Sequence, residues 1–223
     1  MIDHARLVAR TASVLETRDL AAALAELARP SDLLVLVGDL GAGKTAFTQG
    51  FGRGLGIDEQ ITSPTFALVR SYTGRLDLYH LDVYRLEQVS EALDLGLSEL
   101  LDDGSVTVIE WGDRIAPALP HDYLEVHLRF DVPDGPAPPG ESSAPATEAV
   151  AEAATEAAAE AAVGSAEVFE RRIVELRPIG PRWSARVRAL GVALAPWTDA
   201  GTGNDADTGE RGAPTERDGV GEC

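Results

Sequence analysis

The sequence predicts an α/β fold, a mixed central sheet flanked by helices that closes on a C-terminal antiparallel hairpin. Three observations carry the expectation. Apolar runs of strand length alternate with helically spaced segments. The buried-looking run Leu33–Val37 leads into the Gly-rich stretch Gly38-Asp39-Leu40-Gly41-Ala42-Gly43-Lys44-Thr45, and a helical spacing follows. Near the end, Tyr123–Phe130 and Phe169–Leu176 read as strands of a hairpin.

Thr11 to Ala28 is expected to form an amphipathic helix, with Val14, Leu20, Leu24 and Leu27 on its apolar face. Pro30-Ser31-Asp32 ends it before the first core strand, Leu33–Val37. Thr45 to Leu55 suits a second helix, stopped by Gly52, Gly54 and Gly56. Thr65–Tyr72 and Leu76–Val83 read as strands around a turn at Thr73-Gly74, and Leu86–Leu101 as a helix. Ser105–Glu110 reads as a buried strand ending in a carboxylate. After Gly180-Pro181 turns the chain, Val187–Leu194 suits a short helix.

The composition divides the chain into a core over 1–130, an insertion over 131–166, a completing strand and helix over 167–196, and a tail over 197–223. The insertion begins rich in Pro and Gly and ends rich in Ala and Glu. Glu148, Glu152, Glu156 and Glu160 recur at every fourth position, which stacks like charges on one face of any helix. With almost no large apolar residue to dock it, the segment is expected to be disordered, as is the acidic tail.

The formal charge of −18 argues against a broad nucleic-acid surface of the chain's own. The single cysteine, Cys223, excludes an intrachain disulfide and suits a reducing cytosol. No N-terminal apolar core reads as a signal peptide, and no stretch approaches the roughly 20 apolar residues of a membrane span. A cytoplasmic protein without a membrane partner is expected.

Residues 38–45 fit G-x-x-x-x-G-K-[ST], the phosphate-binding loop, and strand–loop–helix is the context it needs. Lys44 is the only lysine; every other fixed cationic side chain is arginine. A compact ammonium fits a nest of backbone N–H groups where a planar guanidinium would not. Asp39, Leu40, Gly41, Ala42, Gly43, Lys44, Thr45 and Ala46 are therefore the candidate phosphate contacts, and the Thr45 hydroxyl a candidate Mg²⁺ ligand. The pattern points to a P-loop NTPase fold. Asp82 and Glu110, at expected strand ends, are candidates for holding the metal and orienting water. Ser63-Pro64-Thr65-Phe66 sits where a γ-phosphate-sensing switch would lie; His80 suits either a phosphate contact or a half-buried strand histidine. Trp111 suits either a shield for the site or ordinary core packing. The chain's one asparagine, Asn204, lies in the tail, so no Asn-Lys-x-Asp guanine-reading signature exists and ATP is the expected nucleotide.

GDLGAGKT (38–45), TSPTFALV (62–69), YHLDVYRL (79–86), LGL (95–97) and IEWGDR (109–114) together resemble the TsaE (YjeE) ATPases of tRNA threonylcarbamoyladenosine biosynthesis. RRIVELRPIGPRW (171–183) looks like that family's final hairpin. Departures are the insertion, the tail, and Ala46 where a second Thr is common. The resemblance implies an ATPase that serves the TsaB and TsaD proteins, with tRNA held mainly by those partners. It also implies Asp82 and Glu110 as the functional acids, Thr45 as the Mg²⁺ ligand, and Thr17 as a contact near the adenine. Two other functions stay open on sequence: a small-molecule or nucleoside kinase, and an ATP-gated binding module that needs no turnover.

Overall fold

The structure is a computed structural model that describes residues 6–64, 67–86, 100, 103–131 and 170–198. The expected helix Leu86–Leu101, the switch residues Thr65 and Phe66, the insertion 131–166 and the tail 197–223 lie almost wholly outside the described residues.

Seven strands form one mixed sheet: β1 (Leu7–Thr11), β2 (Leu33–Val37), β3 (Val69–Tyr72), β4 (Leu78–Asp82), β5 (Val106–Glu110), β6 (Tyr123–Phe130) and β7 (Arg172–Ile179). Their order is β1-β7-β6-β2-β5-β4-β3. β2 runs parallel to both β5 and β6, and β4 runs parallel to β5. β3, β7 and β1 pair antiparallel to their neighbours. The α/β class, the mixed sheet and the C-terminal hairpin β6–β7 are thus as the sequence predicts.

β2 shows why its run is apolar throughout. Leu34 and Leu36 face a core shared with Leu20, Leu24, Phe47 and Phe51, whereas Leu33 and Val35 face a second core with Leu81, Ile109 and Ile115. A strand covered on both faces loses the polar alternation of a half-exposed one. The first core lies under α1 (Val14–Ala25) and α2 (Lys44–Gly54).

α1 is shorter than the expected Thr11–Ala28. Ser13 caps it, its hydroxyl accepting from the Glu16 N–H at 3.2 Å, while Glu16 accepts from the Ala12 N–H at 2.7 Å. This Ser-x-x-Glu reciprocity fixes the start. Upstream, Leu7–Thr11 is an unforeseen edge strand, made by pairing with β7 some 165 residues later in the chain. Of the strand expected over Thr65–Tyr72, the described part joins the sheet at Val69–Tyr72, and the strand expected over Phe169–Leu176 runs Arg172–Ile179.

After β7 the chain turns at Gly180 into α3 (Pro181–Ser184) and then α4 (Val187–Leu194). Arg186, between them, forms a bidentate pair with Asp32 at 2.6 and 2.7 Å, both residues buried. The guanidinium also lies 3.6 Å over the Trp183 ring. Asp32 directly precedes β2, so this pair ties the C-terminal helices to the strand that carries the Gly-rich loop. Arg186→Met removes the bidentate partner and leaves the buried Asp32 carboxylate with the Arg29 N–H at 2.8 Å and the Arg182 guanidinium at 3.7 Å, and we expect a loss of about 3 kcal/mol, read by chemical denaturation of the unliganded protein.

Candidate functional site

The site forms at the C-terminal edge of the parallel strands, where open α/β sheets place their ligands. β2 ends at Val37, the chain loops through Gly38–Gly43, and α2 begins at Lys44. Gly38 has φ +147°, and a Cβ there would stand 2.1 Å from the Leu128 carbonyl oxygen. Gly43 caps the helix at φ +105°, a left-handed conformation that L side chains rarely adopt. The first N–H groups of α2, those of Lys44, Thr45 and Ala46, have no acceptor within the helix. With the positive end of the helix dipole they suit an anion.

Leu40, Gly41, Gly43, Lys44, Thr45 and Ala46 line one cavity of about 440 Å³ together with Ser63, Asp82, Tyr84, Arg85, Glu110 and Trp111. Parallel register explains how the acids arrive. Asp82 and Glu110 are direct partners across β4 and β5, and Leu36, next to the loop, is the partner of Glu110 on β2. Three strand ends thus meet at one level, and both carboxylates are almost wholly buried.

Each acid is already engaged. Thr45 Oγ1 donates to Glu110 Oε2 at 3.1 Å, and His80 Nε2 lies 2.8 Å from Glu110 Oε1. His80 is fully buried rather than half-buried, and among the described residues its Nδ1 has no partner. A carboxylate only accepts, so a proton on Nε2 makes this bond. Asp82 accepts from the Ser63 hydroxyl at 2.6 Å and from the Tyr84 N–H at 3.1 Å. Ser63 belongs to the segment after α2, so Asp82 links that segment to the strand ends.

Lys44 Nζ donates to the carbonyls of Gly38 at 2.6 Å and Asp39 at 2.8 Å, and stands 3.4 Å over the Trp111 ring. Trp111 itself adopts φ +62°, uncommon for a bulky residue, and its ring packs 4.9 Å from that of Tyr84. Trp111 thus both lines the cavity and packs against the second core. Burial pushes the Lys44 pKa down, against the opposing pull of Glu110, Asp39, Asp82 and Asp113.

Of the residues singled out from sequence, Lys44, Thr45, Ala46, Leu40, Gly41, Gly43, Asp82 and Glu110 come together around the cavity. Asp39 contributes its carbonyl to Lys44, and Ala42 is buried behind the loop. Thr17 is not brought to the cavity. Its hydroxyl is buried between the Thr11 hydroxyl at 2.8 Å and the Ser13 carbonyl at 3.1 Å, where it joins α1 to β1. Sequence reasoning missed the pairing of His80 with Glu110, and it missed Arg172, whose Nε donates to the Ala42 carbonyl at 3.0 Å. The parity of His80 with Asp82 on one strand was a signal for the first; nothing local marked the second.

The oxygen donors of Thr45, Asp82 and Glu110 suit a hard divalent cation. Among the described residues no three His, Cys, Asp or Glu side chains cluster to hold a metal by themselves. Such a donor set is compatible with Mg²⁺, which takes few protein oxygens and completes its shell with phosphates and water.

Residues 11–133 match the family model of the threonylcarbamoyl adenosine biosynthesis protein TsaE. The chain belongs to the TsaE family. It is 46% identical over 121 residues to the tRNA threonylcarbamoyladenosine biosynthesis protein TsaE of Bacillus subtilis, covering 54% of this chain and 75% of that protein. With the TsaE of Treponema pallidum it is 44% identical over 124 residues, covering 56% and 90%. The crystal structure of Bacillus subtilis YdiB superposes with a TM-score of 0.61 at 28% identity, covering 86% of this chain and 98% of that one. The chain is accordingly a TsaE-family protein of tRNA threonylcarbamoyladenosine biosynthesis on a P-loop fold. Among the described residues no helix is long and apolar enough to cross a membrane.

The lowered pKa of Lys44 has a sign that can be tested. Between the folded and unfolded pKa values the unfolded chain binds more protons, so burying the ammonium costs stability below the lowered pKa and the cost is relieved as pH rises through it. At neutral pH, Lys44→Met should raise the melting temperature of the unliganded protein, and added nucleotide should no longer raise it further. Thermal melts with and without nucleotide read both effects.

Proposed function

We propose that this TsaE-family chain binds Mg·ATP in the loop cavity and hydrolyses it, in the cytoplasm, to support the TsaB–TsaD pair in threonylcarbamoylating the adenosine next to the tRNA anticodon. The observation that carries the reading is the convergence of Lys44, Thr45, Asp82 and Glu110 around one cavity at a helix start.

The loop N–H groups and the start of α2 hold the phosphates, and the Lys44 ammonium turns from the Gly38 and Asp39 carbonyls to the terminal phosphates. Thr45 and the carboxylates would hold Mg²⁺, which supplies charge neutralisation at the phosphoryl oxygens. Glu110, fixed on one oxygen by His80, aims the other at the reacting end and orients water for attack. Asp82, through Ser63, passes the state of that end to the segment after α2. The absence of an Asn-Lys-x-Asp signature favours ATP over GTP. An acidic chain suits a protein that reaches tRNA through partners.

Three measurements test this together. Weak hydrolysis by the chain alone should rise on adding TsaB and TsaD. Glu110→Gln should keep nucleotide binding while hydrolysis falls on the order of a hundredfold or more. A strain whose only copy carries Lys44→Ala should lose threonylcarbamoyladenosine from its tRNA; unchanged levels of the modified nucleoside would overturn the proposal. Full modification with Glu110→Gln would instead assign the chain to an ATP-gated module that needs no turnover.

A further inference from the structure

The phosphate loop rests on the far half of the sheet as well as on its own strand. Leu128 and Phe130 from the end of β6 and Arg172 from the start of β7 form the surface behind it. Arg172 is buried. Its Nε donates to the Ala42 carbonyl at 3.0 Å and its Nη2 to the Gly41 carbonyl at 3.4 Å, while Nη1 donates to the Arg171 carbonyl at 3.1 Å. The guanidinium lies 4.4 Å over the Phe130 ring, which fixes its plane.

A trans peptide is planar, and its N–H points opposite to its C=O. Holding the Ala42 carbonyl toward β7 therefore turns the N–H of the same peptide, that of Gly43, the other way, toward the cavity that Gly43 lines. A cation on the carbonyl side also polarises the peptide and strengthens its N–H as a donor. No phosphate contact by Arg172 itself is needed. Burial lowers the Arg172 pKa, with Glu170 opposing, yet an arginine remains charged at any physiological pH.

We propose that Arg172 is a positioning residue for phosphate recognition: it holds the loop from behind so that the Gly43 N–H faces the β-phosphate of a bound nucleotide. The inference rests on the reading that the cavity takes a nucleoside di- or triphosphate. It also predicts what the residue does not do. Because Arg172 would act through the loop carbonyls it holds, its loss should weaken every polyphosphate alike and leave the hydrolytic step of bound ATP intact.

The test compares wild type, Lys44→Ala, Arg172→Lys and Arg172→Met by titration with Mg·ADP, Mg·ATP and tripolyphosphate, alongside thermal melts without ligand. Arg172→Met should raise all three dissociation constants about tenfold, with KM for ATP raised and kcat changed less than twofold. Arg172→Lys keeps charge but not the two-carbonyl fork, and should recover only part of the affinity. Retained affinity in both Arg172 variants would overturn the proposal, as would a loss confined to kcat. If Arg172→Met folds poorly, the well-folded Arg172→Lys decides: wild-type dissociation constants in it also overturn the proposal. Failure of wild type to bind any of the three ligands, or Lys44→Ala binding as wild type does, would refute the nucleotide-site reading itself and is distinct from these outcomes.

Discussion

The parallel register of β2, β5 and β4 is the constraint on which the site depends. It brings Leu36, Glu110 and Asp82 to one level at the C-terminal edge of the sheet. Parallel strands all end on the same side, so three neighbouring strand ends can deliver the Gly-rich loop and two carboxylates to one place. A slip of one residue on β5 would turn Glu110 to the opposite face and replace it with Ile109 or Trp111. The all-buried composition of these strands, Leu-Leu-Val-Leu-Val and Val-Thr-Val-Ile, holds the sheet between two cores. The register in turn is anchored from outside by the Arg186–Asp32 pair at the base of β2.

The same geometry places one ammonium among several acids and carbonyls before any anion arrives. Lys44 donates to two loop carbonyls and faces the Trp111 ring, with Glu110, Asp39, Asp82 and Asp113 around it. These contacts hold the ammonium at the mouth of the helix without neutralising the desolvation that lowers its pKa. Polyphosphate offers what the carbonyls lack, full negative charge with several acceptor oxygens. A compact ammonium can exchange one set of acceptors for the other by a short swing, which a bidentate guanidinium fixed by its plane cannot do. That difference gives a physical account of why the one lysine of the chain stands here.

Much of this was legible in the sequence because it is local. The strand–loop–helix order around Lys44 follows from residues 33–55 alone, and Asp82 and Glu110 each follow an apolar run of strand length. What was hidden depends on distant pairing. Leu7–Thr11 has too little pattern to read as a strand, and becomes one only because β7 offers an open edge. Thr17, which the resemblance implies as a contact near the adenine, is hydrogen-bonded to Thr11 on β1, a strand that local pattern does not reveal. Arg172 lies in a run of arginines with nothing to separate it from Arg171; only the β6–β7 hairpin brings it behind the loop. His80 stayed open between a phosphate contact and a half-buried strand histidine because alternation along β4 cannot reveal that the neighbouring β5 carries a carboxylate at hydrogen-bonding distance.

On the proposed reading, the arrangement of Glu110 would make hydrolysis depend on the bound ligand. Its two oxygens are both occupied, Oε1 by His80 and Oε2 by the Thr45 hydroxyl. His80 is buried in the sheet and its ring cannot leave without opening the core, so Oε1 stays committed. Thr45 sits at a helix start beside the cavity, and its hydroxyl is the partner that a phosphate-bound cation would draw away. Releasing Oε2 therefore depends on the ligand: a carboxylate useful for orienting water becomes available only once a charged guest has taken over Thr45. Asp82 accepts from the Ser63 hydroxyl at 2.6 Å and from the Tyr84 N–H at 3.1 Å, so the second acid is tied both to the segment after α2 and to the chain just past β4. On the proposed reading, one acid is set by a buried histidine and freed by ligand, while the other answers in part to the segment after α2, so a partner protein that moved that segment would act on Asp82 and leave Glu110 untouched.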